Sequence, residues 1–222
     1  MSKDLSQIKA VLFDVDGVLV DSGDAHIYSV RAALSEMGID EQLTDCQIKE
    51  TIGNPIENIF KRLVAIDEIE EDFRRTFRRK MYEDGGIEYL KPYPGVKETL
   101  RQLHAMRIRT AIVTNKRRST TKIFLKKVDI ETSMFEFVIT GEDVKRYKPA
   151  PDAVILALKK LGLRPLNVAL VGDTILDIEA ANNAGITSIA VECGFGKDLQ
   201  SADLVIQSVK DLAGLLSSTT GR

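Results

Sequence analysis

The spacing of apolar residues divides the chain into two kinds of segment. Between residues 24 and 88, apolar positions recur at every third or fourth residue, and no run typical of a strand interrupts them. Asn54, followed by Pro55 and Glu57, predicts that a helix starts within this segment. The segment is therefore predicted to be a small bundle of helices over residues 24–37, 44–51, the stretch that begins at 54, and 67–84.

The rest of the chain is predicted to alternate between strands and helices. This alternation is typical of a parallel sheet that helices cover on both faces. The fold class is therefore predicted to be α/β, a doubly wound parallel-sheet core into which the all-helical bundle is inserted. The predicted strands are 11–13, 109–113, 135–140, 168–171, 188–191 and 204–206, and the predicted helices are 94–106, 119–128, 152–161, 175–184 and 209–216.

Composition and charge narrow the range of partners. Apolar residues make up 44% of the 222 positions, and 31 basic against 33 acidic residues give a net charge of -2. No electrostatic attraction to nucleic acid or to an anionic membrane is expected from this balance. No apolar run has the length of a membrane span, and the first residues lack a hydrophobic signal region. Cys46 and Cys193 have no partner motif and are predicted to be reduced, buried thiols, so a cytoplasmic location is expected.

Two acids follow the first predicted strand directly. Asp14 and Asp16 are one residue apart, and because strand side chains alternate, both carboxylates lie on the same side of an extended chain. Two converging like charges at the end of an apolar strand are costly unless a cation or a shared proton relieves them. A metal ion provides that relief. The alternative is that these residues, with Gly17, only form a polar turn after the strand.

Polar residues also follow three other strands of the predicted sheet. Ligands of open doubly wound sheets bind beyond the carboxyl ends of the strands, so these side chains are expected to converge with Asp14 and Asp16. Taken singly, each has an ordinary structural interpretation as a helix cap, a solvated helix face or a surface charge. The residues are Thr114 and Asn115 after one strand, Lys148 in the loop after another, and Asp173 with Asp177 after a third.

These residues carry a family resemblance that spans nearly the whole chain. In their order, they resemble the four motifs of the haloacid dehalogenase-like hydrolase superfamily. Further segments, including 93–95, 114–116 and 147–152, are similar to its phosphoglycolate phosphatase-like branch. The resemblance implies a Rossmann-like core formed by residues 1–21 and 89–222, with a small helical cap domain at 22–88.

The resemblance also implies a mechanism. Asp14 would be the nucleophile that forms an aspartyl phosphate, and Asp16 would protonate the leaving group and then deprotonate water. Thr114, the backbone at Asn115 and Lys148 would bind the phosphoryl group. Mg²⁺ suits a cluster of oxygen ligands. It would be bound by Asp14, the backbone carbonyl of Asp16 and Asp173, with Asp177 as a ligand or an outer-shell acid.

The substrate is expected to be a small phosphorylated metabolite. Dehalogenases release a halide that needs no proton, and they lack an acid at the position of Asp16, so phosphate transfer is favoured. His26 and the loop at Asn54 are expected to contact the leaving group, although packing or capping explains His26 equally well. Residues 74–80 are expected to form a solvated basic face, and Arg117 and Arg118 a solvated basic turn. Phosphoglycolate is the first candidate, ahead of a sugar phosphate or pyrophosphate.

Other functions remain open at this stage. A phosphomutase similar to β-phosphoglucomutase, or a pyrophosphatase, would use the same superfamily motifs. A non-hydrolytic phospho-accepting signalling module also combines acids, a threonine and a lysine on a parallel sheet. Such modules are shorter and lack the helical insertion, which favours the enzyme. The sequence predicts neither a monomer nor a homodimer.

Overall fold

A computed structural model describes residues 4–40, 43–53 and 70–217, and its centre is a six-stranded parallel sheet. The strand order is β5-β4-β1-β6-β7-β8, which confirms the predicted α/β class. Strand β1 is central, and its Leu12 pairs with Ala111 on one side and Leu170 on the other. The strands are β1 (Ala10–Phe13), β4 (Arg109–Val113), β5 (Val138–Ile139), β6 (Val168–Gly172), β7 (Thr187–Val191) and β8 (Leu204–Ile206).

The inner strands are buried on both faces. Every residue of β1, β6 and β7 is buried, which explains why their sequences are apolar runs rather than alternating patterns. The chain runs from β1 outward to β4 and β5, and then returns to the other side of β1 to form β6. The carboxyl ends of β1, β4 and β6 therefore lie next to one another, and polar residues that follow them meet.

The helices agree with the predicted ones to within a few residues at most ends. Gly38 and Gly162 have positive φ angles of 70° and 63° just after two of them, as expected for helix ends. Residues 209–211 form a 3-10 turn before the last helix. The helices are α1 (Gly23–Glu36), α2 (Asp45–Lys49), α3 (Glu70–Tyr82), α4 (Val96–Ala105), α5 (Arg118–Lys127), α6 (Asp152–Leu161), α7 (Ile175–Asn183) and α8 (Leu212–Ser217).

The helical insertion packs through α1 and α3. Phe73 and Phe77 of α3 are buried, with ring centroids 6.1 Å apart, and they belong to the same apolar cluster as Val30 of α1 and Phe13 of β1. The insertion and the sheet thus share a continuous core. The helix predicted to begin at Asn54 lies outside the described residues. None of the described helices combines the length and the apolar character needed to cross a membrane.

Three features differ from the prediction, and the first is that the strand predicted at 135–140 is limited to the two residues of β5. A two-residue ribbon pairs β2 (Val20–Asp21) antiparallel with β3 (Lys91–Pro92), at the two ends of the insertion. Strands this short have no periodicity that a sequence pattern can reveal. Cys46 and Cys193 are unpaired but exposed, so the prediction that they are buried was wrong.

Candidate active site

Asp14 and Asp16 lie at the carboxyl end of the central strand. The backbone N–H of Asp14 donates to the carbonyl of Val171, at 3.0 Å, and continues the pairing of β1 with β6. Asp14 is only 4% exposed and Asp16 only 5%. A solvated polar turn is therefore excluded, and the two carboxylates need partners within the protein.

Three buried carboxylates form a cluster at this edge. Ligand oxygens of Asp14, Asp173 and Asp177 lie within 4.8 Å of one another. Burial, together with repulsion by Asp177 and Asp16, raises the pKa of Asp14 to about 6. Burial and the neighbouring acids Asp177 and Asp14 also raise the pKa of Asp173 well above its ordinary value. The cluster therefore holds negative charge only at a cost, which a bound cation would remove.

The cluster fits a small, hard cation. Asp14 Oδ1 is buried and accepts no hydrogen bond of good geometry from the described residues, although Lys148 Nζ lies 2.9 Å away. Glycines make room for Asp173: a Cβ on Gly17, whose φ is +75°, would lie 1.9 Å from Asp173 Oδ2, and one on Gly194 would lie 2.2 Å from Asp173 Cβ. Three carboxylates in so small a space are the hard oxygen ligands that Mg²⁺ prefers.

Lys148 bridges two acids of the cluster. Its Nζ lies 2.9 Å from Asp14 Oδ1 and 2.5 Å from Asp177 Oδ1, and it donates to the carbonyl of Val113 at 3.2 Å. Burial alone would lower the pKa of Lys148, but Asp14 and Asp177 outweigh it and raise the pKa above the ordinary value. Lys148 is thus a buried cation of the site rather than a surface charge.

Asn115 positions the loop that carries Lys148. Its side-chain Oδ1 accepts from the backbone N–H of Lys148 at 2.9 Å, and its Nδ2 donates to the carbonyl of Lys148 at 3.2 Å. The same Nδ2 lies 3.4 Å from the carbonyl of Gly53 in the insertion. The side chain of Asn115 therefore joins two loops of the site.

Thr114 and Asp177 are also buried. Thr114 is not the cap of α5, because that helix has Arg117 at its N-cap, and its Oγ1 accepts from the backbone N–H of Lys116. Asp177 is 2% exposed. Its Oδ2 accepts from Thr174 Oγ1 at 2.7 Å in the capping box of α7, while Oδ1 faces Lys148. The Asp177 carboxylate thus caps the N-terminus of α7 and also belongs to the three-acid cluster.

Asp16 faces a different set of partners from the other acids. Ser22 Oγ donates to its Oδ1 at 2.7 Å, and Lys116 Nζ lies 2.9 Å from its Oδ2. Burial raises the pKa of Asp16, but Lys116 and its hydrogen bonds outweigh burial and hold the pKa below the ordinary value. The Asp16 carboxylate is not part of the three-acid cluster, so only its backbone carbonyl is left as the expected metal ligand.

A cavity of about 140 Å³ connects these residues with the helical insertion. Asp14, Asp16, Thr114, Asn115, Lys148 and Asp177 line it from the sheet. From the insertion it is lined by Gly53, His26, Phe77, Arg78, Met81 and Tyr82. All the sequence-predicted core residues of the site except Asp173 therefore line one cavity.

The structure is consistent with both roles considered for His26, contact with the leaving group and packing. His26 lines the cavity, and its ring also packs 5.8 Å from that of Phe77, with Nδ1 3.0 Å from the carbonyl of Ser22. Burial and then Lys116 lower the pKa of His26 to about 4, so the ring is neutral. Asn54, the other residue expected to contact the leaving group, lies outside the described residues.

Comparison with known proteins identifies the family. The model of the haloacid dehalogenase-like hydrolases matches residues 11–191, which include Asp14, Asp16, Thr114, Asn115, Lys148, Asp173 and Asp177. The chain belongs to the haloacid dehalogenase-like hydrolase family. The protein is therefore an enzyme, a hydrolase.

Relatives of this hydrolase match it over nearly their whole length. It is 29% identical to a phosphoglycolate phosphatase of Aquifex aeolicus, over 95% of this chain and 98% of the relative. It is 32% identical to a phosphoglycolate phosphatase of Aliivibrio fischeri, over 95% and 97%. Among solved structures, a predicted phosphoglycolate phosphatase from Haemophilus somnus is 28% identical with a TM-score of 0.85, over 94% of this chain and 98% of that one.

Sequence reasoning missed three residues around the cavity of this hydrolase. Lys116 was recognised as part of a motif but was assigned no role, and Ser22 had no signal in the sequence. Arg78 was placed on a solvated face with its basic neighbours, but it is half-buried and lines the cavity. Of the two arginines expected in a solvated turn, Arg117 is exposed at the cavity and Arg118 pairs with Asp143. Helical spacing does not single out Arg78, because Arg74 lies four residues earlier on the same side of the helix.

Proposed function

We propose that this hydrolase is a Mg²⁺-dependent phosphatase that acts on a small phosphorylated metabolite, with phosphoglycolate as the first candidate. The observation that carries the proposal is the position of Asp14, paired with Lys148 among the clustered acids on the floor of the cavity, with Asp16 beside it. The phosphoglycolate phosphatases among its relatives support the choice of substrate. The hydrolase family argues against a signalling module that hydrolyses nothing.

Asp14, Asp173 and Asp177 would hold the metal ion through their carboxylates, with the backbone carbonyl of Asp16 as a further ligand. When bound, Mg²⁺ supplies positive charge that offsets the repulsion between a carboxylate and a phosphoryl group. Lys148 supplies the same kind of charge from the protein, because its ammonium lies beside Asp14 in a buried site. The charges of the metal ion and of Lys148 would allow the anionic Asp14 carboxylate to approach an anionic substrate.

The reaction would proceed in two displacements. Asp14 attacks phosphorus, its new O–P bond replaces the bond to the leaving oxygen, and Asp16 donates a proton to that oxygen. Asp16 then takes a proton from water, which attacks the aspartyl phosphate, restores the Asp14 carboxylate and releases inorganic phosphate. Thr114 and the backbone at Asn115 would bind the phosphoryl oxygens.

Residues 22–88 would act as a cap domain over this reaction, and residues 1–21 with 89–222 as the core. The ribbon of β2 and β3 supports this division, because the chain enters and leaves the insertion side by side. The cavity supports it as well, since residues from both parts line it. A cap over the site would exclude bulk water while the leaving group departs.

The test is phosphate release from a panel of phosphorylated compounds, with and without Mg²⁺. Phosphoglycolate, sugar phosphates, pyrophosphate and p-nitrophenyl phosphate would be ranked by kcat/KM, with phosphoglycolate expected first. Free phosphate is the expected product, and formation of an isomer instead would indicate a phosphomutase. The absence of Mg²⁺-dependent phosphate release from every compound would overturn the proposal.

The acid cluster leads to a prediction about stability. Mg²⁺ at 100 times its dissociation constant is expected to stabilise the folded protein by about 2.7 kcal/mol. This stabilisation corresponds to a rise in Tm of about 5 to 10 °C for a chain of this size. Asp173→Asn should abolish the rise while leaving the metal-free Tm unchanged or higher, because it removes a buried charge and its amide oxygen can still accept from the N–H of Phe195. Thermal unfolding monitored by circular dichroism measures both effects.

Asp129→Asn is the matched control. Asp129 is an 88% exposed acid that pairs with Lys97 outside the site, and its φ of 55° suits asparagine. This variant should keep the full response to Mg²⁺. An unchanged response in Asp173→Asn would exclude Asp173 as a metal ligand.

A further inference from the structure

The face of α3 that lines the cavity carries one cation. Arg78 lies on this face with Phe77, Met81 and Tyr82. The other four basic residues of the helix, Arg74, Arg75, Arg79 and Lys80, do not line the cavity. The position of Arg78 toward the cavity thus distinguishes it from its neighbours.

Lys116 brings a second cation to the same cavity from the sheet side. Its side chain is 13% exposed, its Nζ lies 2.9 Å from Asp16 Oδ2, and the ring of Phe124 lies 4.0 Å below the ammonium. Both Phe124 and Lys116 line the cavity. The ammonium is therefore held at a defined place next to the acid that serves the leaving group.

The acids that line the cavity lie on its sheet side, whereas basic residues line it from both the sheet and the insertion. Among the described residues that line it, the acids are Asp14, Asp16 and Asp177, which lie at the ends of the sheet strands. None of the lining residues that the insertion contributes in the described part is acidic, and Arg78 is the cation among them. A substrate with its phosphoryl group on the floor would therefore direct its other end toward positive charge.

The distances limit what that other end is. In the proposed reaction, the leaving oxygen lies within hydrogen-bond distance of Asp16, about 2.6 to 3.2 Å. Lys116 Nζ contacts the same carboxylate. A carboxylate two bonds away from the leaving oxygen would then lie within reach of Lys116, and Arg78 lines the same cavity from the insertion. A guanidinium binds a carboxylate through two parallel hydrogen bonds, and a lysine adds a point charge.

We infer that Arg78 and Lys116 together bind a carboxylate on the leaving group, so that the substrates are phosphate monoesters of small 2-hydroxy acids. This inference rests on the proposed function and assigns the enzyme's specificity for the leaving group to Arg78 and Lys116. A cavity volume of about 140 Å³ is compatible with a small leaving group. Phosphoglycolate is the smallest ester of this class.

The test compares two esters of the same length in the full-length protein with Mg²⁺. Phosphoglycolate carries a carboxylate, and 2-hydroxyethyl phosphate carries an uncharged hydroxymethyl group in its place. A charged hydrogen bond contributes about 1.5 to 3 kcal/mol, which corresponds to about 10- to 100-fold in kcat/KM. Arg78→Met should lower kcat/KM for phosphoglycolate by this factor, mainly through KM, with a much smaller change for 2-hydroxyethyl phosphate. Arg78→Lys should recover part of the loss.

Arg75→Met is the matched control on the same helix. Arg75 is 77% exposed and pairs with Asp72, so its replacement should leave both reactions unchanged. An equal loss for the two esters in Arg78→Met would overturn the inference, as would a wild-type enzyme that does not prefer phosphoglycolate. A preference for an ester with a second phosphoryl group in place of the carboxylate would also overturn it. If neither ester nor p-nitrophenyl phosphate is hydrolysed, the proposed function itself fails, and the inference fails with it.

Discussion

Asp14→Asn is expected to lower the phosphatase kcat by about 10⁴-fold or more, the loss typical of removing a catalytic nucleophile. An uncharged amide cannot form the aspartyl phosphate on which both displacements depend. The fold should be preserved, because asparagine has nearly the same shape and Lys148 keeps its contact with Asp177. The stability of the metal-free protein should not fall, since burial already disfavours the ionised form of Asp14 and raises its pKa to about 6.

Three measurements check this prediction. Steady-state kinetics give kcat, circular dichroism gives the fold and Tm, and mass spectrometry after acid quenching detects a phosphoryl group on the wild type but not on the variant. Asp45→Asn is a suitable control, because Asp45, at the start of α2, is a 62% exposed acid that pairs with Arg31 of α1. A rate near that of the wild type in the Asp14→Asn variant would exclude Asp14 as the nucleophile.

Asp16→Asn is expected to lower kcat by about 10²- to 10⁴-fold, the usual contribution of general acid-base catalysis. The amide oxygen can still accept from Ser22, but it cannot donate a proton to the leaving oxygen or take one from water. The loss should be greater for phosphoglycolate, whose leaving alkoxide needs a proton, than for p-nitrophenyl phosphate, whose phenolate leaves without one.

Mass spectrometry after quenching distinguishes the two proton transfers proposed for Asp16, to the leaving oxygen and from water. With p-nitrophenyl phosphate, Asp16→Asn should accumulate the aspartyl phosphate, because the first displacement proceeds and the second lacks its base. With phosphoglycolate, the phosphoryl group should be scarce on the protein. Wild-type rates with both substrates would remove Asp16 from the acid-base role, and an equal loss with both would assign it a role in the second step alone.

The sheet and most helices could be predicted because their patterns are local. The apolar run of β6 is buried on both faces, and α6 ends where Gly162 adopts a positive φ. The β2–β3 ribbon could not be predicted, because two-residue strands have no period. The exposure of Cys46 was also missed, since burial of a single small side chain depends on which elements pack over it.

The residues of the active site also divide into those that a local sequence pattern predicts and those that only tertiary packing reveals. Asp14, Thr114 and Asp173 could be selected as candidates because each follows a strand, and parallel strands bring their carboxyl ends to one edge of a sheet. Arg78 and Lys116 carry no such local signal. A basic residue in a helix or a turn has the same sequence appearance whether it faces solvent or a cavity, and only the packing of α3 against the core distinguishes the two cases.

The sequence alone therefore determines the order of strands, helices and motif residues in this chain. Strand burial, helix amphipathicity and glycine turns each produce a pattern that extends over only a few residues. Which charges face each other depends on contacts between residues far apart in the chain. Lys148 lies against Asp14 and Asp177, whereas Lys116 lies against Asp16. The physical reason is that each of these ion pairs joins residues that are distant in the sequence, and only the folded chain brings them together in a buried space.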